Sequence, residues 1–475
     1  MKEWKSYLGG EWVATGDTRE AVRTYDKKPI GKLHLCGPAE MDIAITRAAA
    51  AFAETRTLTS AQKHQILTEI QAGVLSRKEE FARAISDESG KPIRDSRVEV
   101  DRAVLVFSLA ADEARRQHGE VLPLDLTPIT AGRIGITRRF PLGPIGAITP
   151  FNFPLNLGVH KIGPAMAAGN PIVLKPAERT PIAALMLAEV IEQTAWPKGA
   201  FSVVVAKEPK LGEVLASDPR IKMLSFTGAA PVGWRLKEMA NRKRVALELG
   251  GNGAVIVHSD ADLAFAATRC TIGAFANAGQ VCISVQRVYV HRSIWDDFVP
   301  RLVEQARAIK IGDPGDDATT FAPMISPEAA SKAQARVDEA LAQGAQALYL
   351  GERDGVNFLP VILTNTKPSM SVCADEVFAP VMVVEPYDDF AEAIDRVNEG
   401  DFGLQTGVFT RDVGRLFQAF ANLEVGGVIG NDIPMFRSDN MPYGGEKDSG
   451  FGREGLQYAI EEMTELRVLA LNLSA

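Results

Sequence analysis

Ile145-Gly146-Ala147-Ile148-Thr149, the segment Leu155 to Ala168, and Pro171-Ile172-Val173-Leu174-Lys175 follow one another with little between them. The first and third are apolar runs of strand length, and the segment between them is long enough and uncharged enough to read as a helix. The pattern continues, with Pro181 to Thr194 as the next helix and Phe201 to Val205 and Lys222 to Phe226 as further strands. Strands alternating with helices predict a parallel sheet covered on both faces. A second series runs from Ala254-Val255-Ile256-Val257 to Gly427-Val428-Ile429. It takes in a helix from Leu263 to Ala276 and the strands Arg287 to Val290 and Gly407-Val408-Phe409. The chain is read as α/β, with two adjacent layered sheets and a cleft between them.

Outward from this core, Pro38 to Gln117 reads as mostly helical. Runs such as Ala44 to Ala53 and Gln62 to Leu75 space their apolar residues by three and four. Val121-Leu122-Pro123-Leu124 and Arg133 to Arg139 alternate like a hairpin lying outside a core sheet. Leu466 to Leu471 reads as a terminal strand, apolar enough to need a partner, either that hairpin or another subunit.

A chain of 475 residues exceeds one typical core and is expected to divide into two or three domains. The net charge of −8 argues against a general nucleic-acid binder. No apolar run is long enough for a membrane span, and the start, Met1-Lys2-Glu3-Trp4-Lys5, lacks the apolar stretch of a signal peptide. Four cysteines, Cys36, Cys270, Cys282 and Cys373, form no CxxC pair, so neither a metal site nor a disulfide framework is expected. A reducing cytoplasm is the expected location, and it keeps thiols usable.

Three stretches carry chemistry. Cys282 sits in Gly279-Gln280-Val281-Cys282-Ile283-Ser284, after a Gly-Gln turn at a helix end, where a thiol is accessible. The other three cysteines read as small buried hydrophobes. Glu248 ends an apolar strand directly before Gly250-Gly251. It is either a solvated strand-end carboxylate or a partly buried one whose raised pKa suits general-base work. Asn152, bracketed by Phe151, Phe153 and Pro154, is either a turn former or an amide donor for a developing oxyanion. Thiol, carboxylate and amide together are the parts needed for acyl chemistry through a thioester.

Two further stretches suggest a nucleotide. Lys175 and Glu178 lie at the carboxyl end of a strand, the ligand side of open α/β sheets. Phe226-Thr227-Gly228-Ala229-Ala230-Pro231-Val232-Gly233 joins a strand to a helix whose first N–H groups suit a pyrophosphate. The glycine spacing is not GxGxxG, and the Lys-Ser/Thr ending of a P-loop is missing.

Taken in order, TPFNFP (149–154), KPAE (175–178), FTGAAPVG (226–233), LELGGN (247–252), GQVCIS (279–284), EVFAPV (376–381) and PYGGEKDSGFGREG (442–455) resemble the NAD(P)-dependent aldehyde dehydrogenase superfamily across essentially the whole chain. The resemblance implies a Rossmann-like cofactor domain over residues 1–120 and 142–250 and an α/β catalytic domain over 251–452. A small β oligomerisation element would comprise 121–141 and 453–475. Cys282 would attack the aldehyde, Asn152 and the Cys282 N–H would hold the oxyanion, and Glu248 would activate water to hydrolyse the thioester. Thr149, Pro150, Phe151, Lys175, Ala177, Glu178, Phe226, Gly228, Ala229, Val232, Gly250, Glu376 and Phe378 would line the cofactor site. Lys175 and Glu178 would hold the adenosine ribose, Glu376 the nicotinamide ribose, and Phe378 would pack near the ring. Gly228-Ala229-Ala230 replaces the Gly-Ser-Thr of many members, which moves phosphate binding onto backbone groups. Glu178 accepts the 2′-OH of NAD and repels a 2′-phosphate, so NAD is the preferred cofactor, with NADP tolerated through Lys175.

The presence of Glu248 favours hydrolysis over transfer to coenzyme A, the chemistry of acylating semialdehyde dehydrogenases; a non-catalytic structural role is the remaining alternative. Asn156, His160, Ser284, Arg437 and Tyr443 fall on the family's substrate tunnel. Arg437 is either a solvated loop cation or, turned inward, a selector for a carboxylate, phosphate, phosphonate or sulfonate. His160 is either a tunnel residue or helix-face packing. The expectation is a small polar or anionic aldehyde, such as lactaldehyde or a semialdehyde, oxidised by a homodimer or homotetramer.

Overall fold

The computed structural model describes residues 2–473. Its first large sheet is eight-stranded. The middle of that sheet runs Arg244–Glu248, Met223–Thr227, Ile145–Ile148, Ile172–Lys175 and Phe201–Val203, all parallel. From Ile145–Ile148 the chain builds outward in one direction through Ile172–Lys175 and Phe201–Val203. It then returns and builds in the other through Met223–Thr227 and Arg244–Glu248. The order therefore reverses between Ile145–Ile148 and Met223–Thr227, and the carboxyl ends of those two strands open onto a crevice, the place where open α/β sheets bind ligands.

The sheet's edges escape a reading of local pattern. Ser6–Leu8 pairs antiparallel with Phe201–Val203, and Glu11–Val13 follows it outward. On the far side Gly450–Phe451 pairs antiparallel with Arg244–Glu248.

The second sheet is seven-stranded, ordered Gln346–Leu350, Val361–Thr364, Val381–Tyr387, Val285–His291, Gly253–Val257, Gln405–Phe409 and Gly427–Gly430. All neighbours are parallel except the outermost Gln346–Leu350. One short connection, Leu249 to Asn252, leaves the carboxyl end of the first sheet and enters the amino end of the second. The same amino end carries Cys282 just ahead of Val285–His291. The cleft thus lies where the carboxyl edge of one sheet faces the amino edge of the other.

The helix Asn156–Ala168 is buried along its whole length, its polar Asn156, His160 and Lys161 included. Its start is fixed by Glu99, whose Oε1 accepts the N–H groups of Leu155 and Asn156 at 3.0 and 3.2 Å. A carboxylate there also complements the positive end of the helix dipole. Glu99 is in turn ion-paired with buried Lys91. The helices Ser60–Ser76 and Ile93–Glu113 pack around this element, and their apolar faces share one core cluster with it.

A third, three-stranded sheet stands apart, ordered Thr464–Asn472, Arg133–Pro141 and Val121–Pro123. The terminal strand finds its partner in the hairpin, antiparallel from Thr464 opposite Pro141 to Asn472 opposite Arg133. Leu466, Val468 and Leu469 remain more than half exposed on it. No helix among the described residues is long and apolar enough to cross a membrane.

Candidate active site

Cys282 is held by an unusual backbone. The helix Leu263–Phe275 stops one residue short of the expected Ala276, because Asn277, Ala278 and Gly279 all take positive φ, at 50°, 55° and 68°. Left-handed geometry at a residue with a side chain costs about 1–3 kcal/mol and persists only where the surroundings impose it. Here Gln280 imposes it: its Oε1 accepts from Ile325 N–H at 2.8 Å and its Nε2 donates to the Asn277 carbonyl at 3.0 Å. The turn brings the Cys282 carbonyl against Gly251, where any Cβ would strike the oxygen. This close approach explains why the second glycine of the Gly250-Gly251 pair must be glycine.

Asn152 reaches the same loop. Its Nδ2 donates to the Gln280 carbonyl at 2.9 Å, which fixes the amide and leaves its second N–H for a ligand. Its Oδ1 is buried and accepts from no described residue. The thiol of Cys282 lies 3.3 Å from the Tyr443 hydroxyl. Burial pushes that thiol up to about 11, and the carboxyls of Glu376 and Glu248 add to the effect.

Glu248, at the end of its strand, is 4% exposed, and neither oxygen accepts a hydrogen bond from a described residue. Its Oε1 stands against Gly444, 3.1 Å from where a Cβ would lie. Burial, then the charge of Glu454, raises its pKa well above the usual carboxylate range, while Arg437, Lys161 and Arg453 pull the other way. A carboxyl buried without partners in this way holds its proton more tightly than a solvated one.

Those cations belong to a buried chain. Lys161 Nζ donates to Ser225 Oγ and to Glu454 Oε1, both at 3.0 Å. Arg437 Nη2 donates to Glu454 Oε2 at 3.1 Å and to His160 Nδ1 at 3.3 Å. His160 Nε2 meets Asp439 Oδ1 at 3.1 Å, and Asp439 also takes the guanidinium of Arg102. Burial, then the Arg437 charge, lowers His160 to about 4. Although burial opposes it, Lys161 and Arg437 hold Glu454 down at about 2. Arg437 therefore faces inward, with 7% of its side chain exposed, and its guanidinium lies 3.7 Å from the centroid of the Tyr443 ring.

Three cavities meet this centre. One of about 320 Å³ is lined by Thr149, Pro150, Phe151, Lys175, Ala177, Glu178, Phe226, Gly228 and Val232. A second of about 320 Å³ shares Pro150, Phe151 and Gly228 with it and runs past Ala229, Gly250, Glu376 and Phe378 to Asn152 and Cys282. All the residues expected at the cofactor thus line one continuous trough from the sheet's switch point to the thiol. The trough fits a dinucleotide: Thr149 Oγ1 and Thr227 Oγ1 are buried without described partners, and the helix Ala230–Met239 begins on its wall. At one end Lys175 Nζ pairs with Glu178 Oε1 at 2.5 Å. At the other, burial raises Glu376 to about 7, and its Oε1 accepts from Gly251 N–H at 3.0 Å.

The third cavity, of about 520 Å³, reaches Cys282 from the other side, past Asn156, Arg437 and Tyr443. Two residues expected there stand elsewhere. Ser284 Oγ donates to the Gly273 and Ala274 carbonyls, closing the end of the preceding helix. His160 sits behind the wall, between Arg437 and Asp439. The cavity instead gains Lys91, Arg94 and Arg102. The spacing of Arg94, Val98 and Arg102 by four places them on one helix face, a signal legible only once that face is known to line the cavity.

A dinucleotide trough at the switch point of a parallel sheet, ending at a half-buried cysteine, defines the class: an oxidoreductase that works with a nicotinamide dinucleotide. The profile of the aldehyde dehydrogenase family matches residues 12–469, and the chain belongs to that family. It is 44% identical over 473 residues to a 3-sulfolactaldehyde dehydrogenase of Priestia aryabhattai, covering 100% of this chain and 99% of that one. Among solved structures, aldehyde dehydrogenase 21 of Physcomitrella patens in complex with the reaction product succinate superposes with a TM-score of 0.97 at 38% identity, covering 99% and 98% of the two chains. The NADP-dependent glyceraldehyde-3-phosphate dehydrogenase of Bacillus halodurans C-125, complexed with NADP, superposes with a TM-score of 0.96 at 33% identity over 100% of both chains. The protein is an NAD(P)-dependent aldehyde dehydrogenase, and its substrate is an aldehyde.

Proposed function

We propose that the protein oxidises a small aldehyde carrying a second, anionic group to the corresponding carboxylic acid. The observation that carries this reading is the inward Arg437, which with Arg102 lines the cavity reaching Cys282. Guanidinium groups favour sulfonate, phosphate and carboxylate because they donate two hydrogen bonds in one plane. The similar proteins named above lend support, since sulfolactaldehyde, succinate and glyceraldehyde 3-phosphate are all anionic.

In the reaction, Cys282 Sγ attacks the carbonyl carbon, and the free N–H of Asn152 with the Cys282 N–H holds the oxyanion of the thiohemiacetal. Glu376 and Phe378 would hold the nicotinamide, which when bound would accept the hydride of the thiohemiacetal and leave the thioester. Glu248 then takes a proton from water, which adds to the thioester and releases the acid and the thiol. Burial raises the Glu248 pKa and so opposes its ionisation, while Arg437, Lys161 and Arg453 favour the carboxylate that takes the proton. The base at this position is what favours hydrolysis over transfer to coenzyme A.

NAD is the preferred cofactor, since the Glu178 carboxylate accepts a ribose 2′-OH. Lys175, Lys210 and Arg235 on the same wall leave room for NADP. Residues 1–120 and 142–250 form the cofactor domain, which also supplies Asn152 and Glu248, and 251–452 the catalytic domain, which carries Cys282. The exposed apolar face of Thr464–Asn472, with the hairpin, is the assembly surface of a homodimer or homotetramer. A thiol that must stay reduced suits a cytoplasmic enzyme.

The test is a panel of succinate semialdehyde, glyceraldehyde 3-phosphate, sulfolactaldehyde, lactaldehyde and hexanal, each with NAD and NADP and with and without coenzyme A. The anionic aldehydes should show kcat/KM at least tenfold above the neutral ones, without need of coenzyme A. A preference for hexanal would end the substrate reading, and dependence on coenzyme A the hydrolytic one.

A further inference from the structure

A cysteine used as a nucleophile needs something to stabilise its thiolate, most often a neighbouring cation or a helix N-terminus. Cys282 follows the carboxyl end of a helix, where the dipole opposes a negative charge. No Lys, Arg or His among the described residues donates a hydrogen bond to its sulfur. The group that does reach it is the hydroxyl of Tyr443, 3.3 Å from Sγ.

Tyr443 is fixed for that contact. Its N–H donates to the Glu454 carbonyl at 3.0 Å, and the Glu454 N–H returns to the Tyr443 carbonyl at 2.6 Å, so the backbone cannot drift. The residue is 3% exposed, and its hydroxyl meets no other described side chain. The Arg437 guanidinium lies over the ring, 3.7 Å from its centroid, and holds it from that side. Between two neutral groups either atom can donate. Once the thiol ionises, sulfur has no hydrogen left, and only the phenol can.

We propose that Tyr443 is a catalytic residue: its hydroxyl donates to Cys282 Sγ, holding the thiolate before attack and receiving it again when the thioester breaks. In the second step water adds to the carbonyl carbon, its proton passes to Glu248, the C–S bond breaks and the electron pair returns to sulfur. The Tyr443 O–H is then already aimed at the atom that gains the charge. This role rests on the reading of Cys282 as nucleophile and extends it.

The experiment compares wild type with Tyr443→Phe, which removes one oxygen and keeps the ring. The rate of Cys282 alkylation by iodoacetamide, followed by mass of the modified peptide, is measured against pH. A hydrogen bond to a charged group corresponds to a shift of about one pKa unit or more. The profile of the variant should move up by that amount, and alkylation at pH 8 should fall about tenfold, with cofactor binding unchanged. Superimposable profiles would refute the role of Tyr443. The underlying reading is probed separately by Cys282→Ala: retained aldehyde oxidation would remove the nucleophile itself, whatever the Tyr443 variant shows.

Discussion

His160 Nε2 donates its hydrogen to Asp439 Oδ1 across 3.1 Å, and the ring's tautomer is fixed by what lies on its other side. Arg437 Nη2 has only hydrogens to offer, so His160 Nδ1 must accept, and the proton stands on Nε2. The ring is neutral and links two cations, Arg102 through Asp439 and Arg437 directly. Both cations line the cavity that reaches Cys282, so one buried histidine keeps them in register.

A neutral buried histidine makes the fold sensitive to acid. Its folded pKa is depressed to about 4, below the unfolded value near 6.5. Its contribution to stability is present above about pH 6.5 and is lost as pH falls toward 4. Between pH 7 and pH 5 the loss is about 2 kcal/mol. Urea unfolding at the two pH values should show this loss in wild type and most of it missing in His160→Gln. Glu248 and Glu376, whose raised pKa values act with the opposite sign, are common to both proteins and cancel in the difference. Equal losses in the two proteins would mean that His160 is not buried neutral.

Arg102 lies at the cavity wall with 28% of its side chain exposed, held by Asp439. Replacing it by Gln should lower kcat/KM for an anionic aldehyde about tenfold, the value of one charge-assisted hydrogen bond. Lactaldehyde, with no distal charge, should be affected less than twofold. Parallel losses for both substrates would make Arg102 a structural residue only.

Cys282, Glu248 and Asn152 were legible as candidates because each sits in a short local pattern (Cys282 after Gly-Gln, Glu248 before Gly-Gly, Asn152 between aromatic residues), and the ordered motifs of the family resemblance joined them into one proposal. The parallel strands were legible for a related reason, since a strand buried on both faces is a plain apolar run. The side proposed for an anionic group was only half visible. Arg437 stood out as a charge in a family tunnel position, but its pairing with His160 spans 277 residues, and that of Arg102 with Asp439 spans 337. No periodicity reports contacts of that kind. Ser284 was placed in the tunnel by the family resemblance, while its hydroxyl turns away to satisfy helix carbonyls. The edge strand Ser6–Leu8 is three residues long and owes its conformation to Phe201–Val203. So short a run carries no alternation to read.

Cofactor choice is expected to turn on Glu178. Its carboxylate is paired with Lys175 at 2.5 Å, so the wall carries this balanced pair, a second one between Arg235 and Glu213, and Lys210. Glu178→Gln removes the negative charge and leaves the cations. The ratio of kcat/KM with NADP to that with NAD should rise about tenfold, about 1.4 kcal/mol of lost repulsion. An unchanged ratio in this variant would place the ribose away from Glu178.

Glu248 offers a test that separates the two halves of the reaction. Attack by Cys282 and hydride transfer precede any need for a base toward water, so Glu248→Gln should still release NADH once per site. The thioester then has no group to activate water, and steady-state turnover should fall by about 10²-fold or more. Rapid mixing would show a burst of one equivalent followed by a slow phase, and intact mass should reveal the acyl group on Cys282. In wild type the slow step should need ionised Glu248. Burial raises that pKa well above the ordinary carboxylate range, so turnover should climb with pH beyond where a solvated carboxylate has finished titrating. The same sign makes this group's contribution to stability fall as pH rises, because the native state then gives up a proton it holds more tightly than the unfolded chain does. A burst without accumulation in Glu248→Gln, or a flat pH profile in wild type, would assign hydrolysis to another base.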